Sequence, residues 1–194
     1  MKIGIVVYSQ TGHTYSVAEK LQEKLQANGH SVDIERVTTV GDVNPGSKNV
    51  TFQNQPDVQG YDALVFGSPV HAFNLAPAMR AYLEQIPSLQ GKNVACYVTK
   101  GLPFHRTGGN QAISQMKKIC QSKGATIVGT DILVWRGSTG KKIDELTGNS
   151  VSSFNSGNKY LNTPSPIFFD NYIYKLKPYK KGTSIINSGI NGMI

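Results

Sequence analysis

Residues 2–14 read KIGIVVYSQTGHT, and the fold follows from how this stretch is parsed. Lys2 to Tyr8 is a short run rich in Ile and Val, apolar on consecutive positions, which predicts a parallel strand buried on both faces. The polar stretch Ser9 to Thr14 bounds it. The period then changes: Val17, Ala18, Leu21 and Leu25 recur at helical spacing with Glu19, Lys20, Glu23 and Lys24 between them, and Asn28-Gly29 supplies a helix stop. The chain therefore opens with a strand, a hydroxyl-rich loop and an amphipathic helix.

Working outward, the same grammar repeats. Ser31 to Val37 predicts a second strand, and Ala63 to Phe66 a third, running into Gly67-Ser68-Pro69. A helix is expected from about Ala76 to Ile86, with Met79, Tyr82, Leu83 and Ile86 on one side. Asn93 to Thr99 is a fourth strand, Gly109 to Ser122 a helix carrying Ile113, Met116 and Cys120, and Thr126 to Trp135 a fifth strand. Between Thr38 and Gly60 the chain is rich in Asn, Gly, Pro and Gln without helical period, so a crossover helix there is short or absent. Strand and helix alternating at this spacing predict an α/β fold with a doubly wound, five-stranded parallel sheet.

Length suits one compact domain with appendages. We read residues 1–147 as that domain and 148–194 as an irregular extension, because after Leu146 the chain turns to Asn, Ser, Gly, Pro, Tyr and Lys around one aromatic patch, Ile167 to Tyr174. Hydrophobic residues make up 39%, charged residues 16%, and mean hydropathy is −0.27, a globular composition. The early apolar run Ile3 to Val7 is too short for a membrane span or a signal-peptide core, so a cytoplasmic protein is expected. The formal charge is +8, split evenly: 15 Lys+Arg against 11 Asp+Glu in residues 1–147, and 5 against 1 in the remainder. With no nucleic-acid-binding motif, the basic excess reads as solvated surface charge, and neither nucleic acid nor membrane is expected as a partner. Cys96 and Cys120 read as small buried hydrophobes.

In a doubly wound sheet, ligands bind where loops leave the carboxyl ends of strands. The first such loop, Ser9-Gln10-Thr11-Gly12-His13-Thr14, offers three hydroxyls, a glycine that lets the backbone approach an anion, and the amides of a helix N-terminus, which together suit a phosphate. It carries no Walker-type lysine and no G-x-G-x-x-G spacing, which favours a phosphate without a divalent metal or a pyrophosphate. No metal site is expected.

The hydroxyl-x-Thr-Gly-x-Thr pattern of Ser9, Thr11, Gly12 and Thr14 resembles the phosphate-loop signature of the flavodoxin-like FMN-binding family. The second loop, Gly67-Ser68-Pro69-Val70-His71-Ala72-Phe73-Asn74, is similar to the family segment that lines one side of the flavin ring, and Thr99-Lys100-Gly101-Leu102-Pro103-Phe104 stands where the family closes over the other. The resemblance covers residues 1–147 and implies a flavodoxin-like fold with FMN as cofactor. The cofactor contacts it implies are Ser9 to Thr14, Ser68 to Phe73, Thr99, Lys100, Gly101 and Phe104.

A flat isoalloxazine calls for aromatic or aliphatic faces and hydrogen-bonding groups at its rim. His71, Phe73 and Phe104 are the candidate faces; Phe73 has core filling as its other reading. His71 reads either as a surface residue or, at a flavin edge, as a proton relay, and Lys100 reads either as a counter-charge to reduced flavin or as a solvated loop lysine. No Ser-His-Asp arrangement or carboxylate pair competes, so no catalytic residue is assigned. The implied function is electron transfer through bound FMN, with a redox protein or a small electron acceptor as partner. The alternatives are an FMN-dependent NAD(P)H:quinone-type oxidoreductase and a flavin-free regulatory domain on the same fold.

Overall fold

A computed structural model describes residues 1–101 and 108–135. Phe104 and the 148–194 extension lie outside the described residues. The elements are β1 (Lys2–Val7), α1 (His13–Ala27), β2 (Ser31–Arg36), β3 (Thr38–Thr39), β4 (Phe52–Asn54), β5 (Ala63–His71), β6 (Asn74–Leu75), α2 (Pro77–Gln85), β7 (Asn93–Lys100), α3 (Gly109–Ser122) and β8 (Thr126–Val134).

Five strands form the parallel sheet in the order β2-β1-β5-β7-β8, with β6 folded antiparallel onto the end of β5. All four contacts along that path are parallel, in the register Ile3↔Val32 and Ile3↔Ala63 around β1, and Phe66↔Cys96 and Cys96↔Thr130 around β7. Each parallel pair requires a crossover, and α1, α2 and α3 supply three of them. The link from β2 to β5 is the exception. It carries the small antiparallel pair β3–β4 and no helix, as the composition of residues 38–60 predicts.

The central strands are apolar on consecutive positions because both sheet faces are covered. Ile3, Ile5, Val7, Ala63, Val65, Ala95 and Tyr97 share one face with Ala18, Leu21 and Leu25 of α1. Val6, Leu64, Phe66, Val94, Cys96 and Val98 share the other with α2 and α3, through Met79, Tyr82, Leu83, Ala112, Met116 and Cys120. The two cysteines are free and buried, as read from their surroundings in sequence. α1 ends at Asn28 and Gly29, whose φ of 80° and amide bond to the Gln26 carbonyl close the last turn.

Two boundaries differ by more than one residue from the sequence reading. His13 and Thr14, read as loop, form the first turn of α1. The third strand does not stop at Phe66: pairing with β7 continues through Gly67↔Tyr97, Ser68↔Val98 and Pro69↔Thr99, and the strand then turns back into β6. Gly and Pro are strand breakers in local terms, but here a buried neighbour strand supplies the ladder and an aromatic ring supplies the reason for the glycine. A Cβ on Gly67 would collide with the Tyr97 ring opposite it.

Candidate functional site

The strand order reverses between β1 and β5, and the crevice above their carboxyl ends is the topological switch point where ligands bind in such sheets. Three segments meet there: the Ser9–Thr14 stretch after β1, the end of β5 with its turn into β6, and the end of β7. An open cleft between them is lined by Thr11, His13, Thr14, Pro69, Val70, His71, Thr99, Lys100, Gly101 and Trp135. None of these described lining residues is acidic, so none of them repels an anion.

The first segment is built to present amides. Gly12 caps α1 in the left-handed conformation, φ 85°, and its carbonyl accepts the Ser16 amide. Open space surrounds the position where a Cβ would stand, so it is the backbone angle that makes glycine suit this turn. First-turn amides have no acceptor within a helix. That of Tyr15 points to the Ser9 hydroxyl at 3.3 Å. Gln10 and Thr11 are exposed, and the Thr11 hydroxyl lies 3.3 Å from His13 Nδ1.

Thr14 is different: its side chain is 1% exposed and hydrogen-bonded to the Thr99 hydroxyl at 2.8 Å. The pair joins the Ser9–Thr14 stretch to the end of β7. Two hydroxyls sharing one hydrogen bond retain one unused proton, which either can direct to an anion in the cleft. The loop has a second tie to β7, because the Tyr97 hydroxyl donates to the Thr14 carbonyl at 2.8 Å. Gly67 makes this possible by leaving room for the Tyr97 ring to lie across β5.

On the second segment Ser68 is buried, with its hydroxyl donating to the Pro69 carbonyl at 3.0 Å, and Pro69 and Val70 are half-buried wall. His71 meets Tyr8 edge-on, with ring centroids 6.2 Å apart, and its buried Nδ1 has no hydrogen-bond partner among the described residues. Burial lowers the His71 pKa below the ordinary value, keeping the ring neutral near pH 7. The neutral imidazole lines the cleft, where its ring can border a ligand edge. Ala72 and Phe73 follow in a tight turn, both with positive φ, and Phe73 is 58% exposed. Phe73 is therefore not core filler.

On the third segment Thr99 and Lys100 line the cleft with Gly101, and desolvation lowers the Lys100 pKa. Phe104, assigned to this wall from sequence, lies outside the described residues.

Sequence reasoning missed two contributors. Trp135, which follows β8 and donates its amide to the Lys100 carbonyl at 2.7 Å, stacks on His13 with centroids 4.3 Å apart and planes 18° from parallel. Its position at the carboxyl end of a strand was the available signal. Tyr97 is the other, and its contact with the loop crosses 83 residues of sequence, where no local pattern points.

Known proteins share this fold. A family model described as a flavodoxin domain matches residues 4–130. A protein of Caulobacter vibrioides (strain NA1000 / CB15N) named NAD(P)H dehydrogenase (quinone) is 29% identical over 164 residues, 77% of this chain and 79% of its own. One of the same name from Cupriavidus metallidurans is 32% identical over 100 residues, 48% of this chain; the match spans only 50% of that relative's length. Among solved structures, a flavodoxin of Streptococcus pneumoniae TIGR4 superposes with TM-score 0.55 at 19% identity, over 75% of this chain and 92% of that one. A flavoprotein in complex with FMN from Lactobacillus acidophilus NCFM gives 0.52 at 19% identity, over 68% and 92%. At such identities the likeness is one of fold.

Proposed function

The chain belongs to the flavodoxin domain family, and on that premise we propose that it is an FMN-binding redox protein, with the flavin phosphate in the Ser9–Thr14 loop. One observation carries the reading. At the switch point of the sheet, a glycine-capped helix start and a buried Thr14–Thr99 hydroxyl pair face a cleft whose described lining contains no carboxylate. Hydroxyls and amides at a helix start suit a phosphate monoester. The cleft-lining His71 ring and the exposed Phe73 ring two residues on stand at the same end of β5, suited to the rim and face of a flat heterocycle.

When bound, FMN supplies the electron-transfer chemistry. The protein's part is to hold and shield it. Ser9, Thr11 and Thr14 with the loop amides bind the phosphate, and Trp135 stacked on His13 walls the phosphate end. The Ser68–Asn74 and Thr99–Phe104 segments would line the ring, with the neutral His71 at its edge as a hydrogen-bonding group or proton acceptor.

The leading role is electron carriage to a redox protein or a small acceptor. The name borne by the relatives favours a second role, reduction of quinone-type acceptors by NAD(P)H. Titration of purified protein with FMN, followed by fluorescence quenching, tests the shared premise; failure to bind FMN refutes it and favours a flavin-free interaction domain. Anaerobic reduction of the loaded protein separates the two roles. Rapid bleaching by NADH or NADPH, with steady turnover on a soluble quinone, establishes the reductase, and its absence with ready reduction by a one-electron donor establishes the carrier.

A further inference from the structure

We propose that Asn74, Gln111 and Gln115 form an amide clamp that holds the Ala72–Phe73 turn in the shape that meets the flavin ring, making all three positioning residues of the site. This rests on the FMN reading above. β5 and β6 are joined by a two-residue turn, closed by the His71↔Asn74 pair. Both central residues have positive φ, 42° at Ala72 and 67° at Phe73. A turn of this handedness is ordinarily made by Asn-Gly or similar pairs, because a Cβ disfavours it. Burial does not repay the misfit, since Phe73 is 58% exposed. Something else must hold the turn.

The hydrogen bonds identify it. Asn74 Nδ2 donates to the Ala72 carbonyl at 2.9 Å, inside the turn. Asn74 Oδ1 accepts from Gln111 Nε2 at 2.9 Å and from Gln115 Nε2 at 3.0 Å. Gln115 Oε1 in turn accepts the Leu75 amide at 3.0 Å. Gln111 and Gln115 are four residues apart on α3, one turn of helix, so both reach the hairpin from one face. Each donor in this set meets an acceptor, which fixes the amide orientations. A steric lock adds to it. Gly108 caps α3 with φ 78°, and a Cβ there would collide with the Phe73 backbone, so the helix start and the turn interlock only with glycine at this position.

A strained conformation persists when its surroundings over-determine it, and such places are enriched at ligand contacts. Here the strained turn follows His71 directly and presents a ring uncovered by protein. The clamp thereby connects the start of α3 to an exposed aromatic ring two residues beyond the cleft-lining His71.

The test compares riboflavin with FMN on the full chain, for wild type and for Q111A/Q115A. A clamp acting on the ring-contacting turn should weaken both ligands by the same five- to tenfold factor, leave the FMN-over-riboflavin ratio unchanged, and alter the visible circular dichroism of the bound flavin. N74D keeps the acceptor for both glutamines and removes the donor to Ala72. It should act in the same direction and serves if the double variant does not fold. A lower melting temperature with unchanged affinities and an unchanged visible spectrum would overturn the proposal and leave FMN binding standing. Wild-type protein that binds neither flavin would overturn both.

Discussion

Replacing Thr14 by Val keeps the shape of the side chain and removes its hydroxyl, which separates the two tasks we assign to that group. Thr14 is 1% exposed and Thr99 4% exposed, and their hydroxyls meet at 2.8 Å. T14V therefore leaves the Thr99 oxygen buried and unpaired, at a cost of about 1–3 kcal/mol. T14V/T99V removes both polar groups, and stability should return to within about 1 kcal/mol of wild type, because exchanging both partners for apolar groups of like shape is nearly neutral. Ligand affinity should not return. Loss of one charge-assisted bond to phosphate, about 1.5–3 kcal/mol, weakens FMN roughly tenfold or more in both variants. T14S, which keeps the hydroxyl, should retain most affinity. Urea denaturation of the apoprotein and FMN fluorescence quenching measure the two quantities. A double variant that regains affinity along with stability would refute the idea that this hydroxyl faces phosphate, as would T14V binding FMN at wild-type strength.

Other consequences follow from single residues. His71 has a depressed pKa in the native state, so the unfolded chain takes up the proton first; its contribution to stability is full above about pH 6.5 and is lost as pH falls below that value, a dependence that H71Q should remove in denaturation curves recorded across pH. Asp131 on β8 has the opposite sign: burial raises its carboxyl pKa, against a smaller lowering by the Ile132 amide, so stability falls as pH rises from about 3.8 through the raised value. D131N should flatten that fall and be the more stable protein at pH 7. Ala72→Gly relieves a positive φ that costs an alanine about 1–2 kcal/mol, less what the freer unfolded chain regains, so a gain of about 0.5–1 kcal/mol is expected in urea denaturation; a loss would show that the turn is not strained. Phe73→Ala exposes no core and should leave stability within about 0.5 kcal/mol while weakening FMN by about 1 kcal/mol. Equal FMN affinity would move the stacking role away from Phe73.

The sequence by itself determined the alternation of strands and helices, because a strand buried on both faces must be apolar on consecutive positions and a helix covering it must be apolar every third or fourth. Ile3 to Val7, Leu64 to Phe66 and Val94 to Val98 carry the first signal, and Ala18, Leu21 and Leu25 the second. It also determined the hydroxyl-rich loop after β1, since its hydroxyls and its glycine are consecutive residues. Only the tertiary structure decided which strand lies beside which, and with that what the loop is tied to. The Thr14–Thr99 bond, the Tyr97 hydroxyl on the Thr14 carbonyl, and the stacking of His13 on Trp135 join residues 83 to 122 positions apart, and each exists because parallel strands bring their carboxyl ends to one edge. Local reading also stopped the third strand at Gly67-Ser68-Pro69, where breakers outweigh formers. In the folded chain the glycine makes space for Tyr97, the ladder to β7 runs on past it, and the strand ends instead in a turn that its own residues disfavour and that amides from α3 hold.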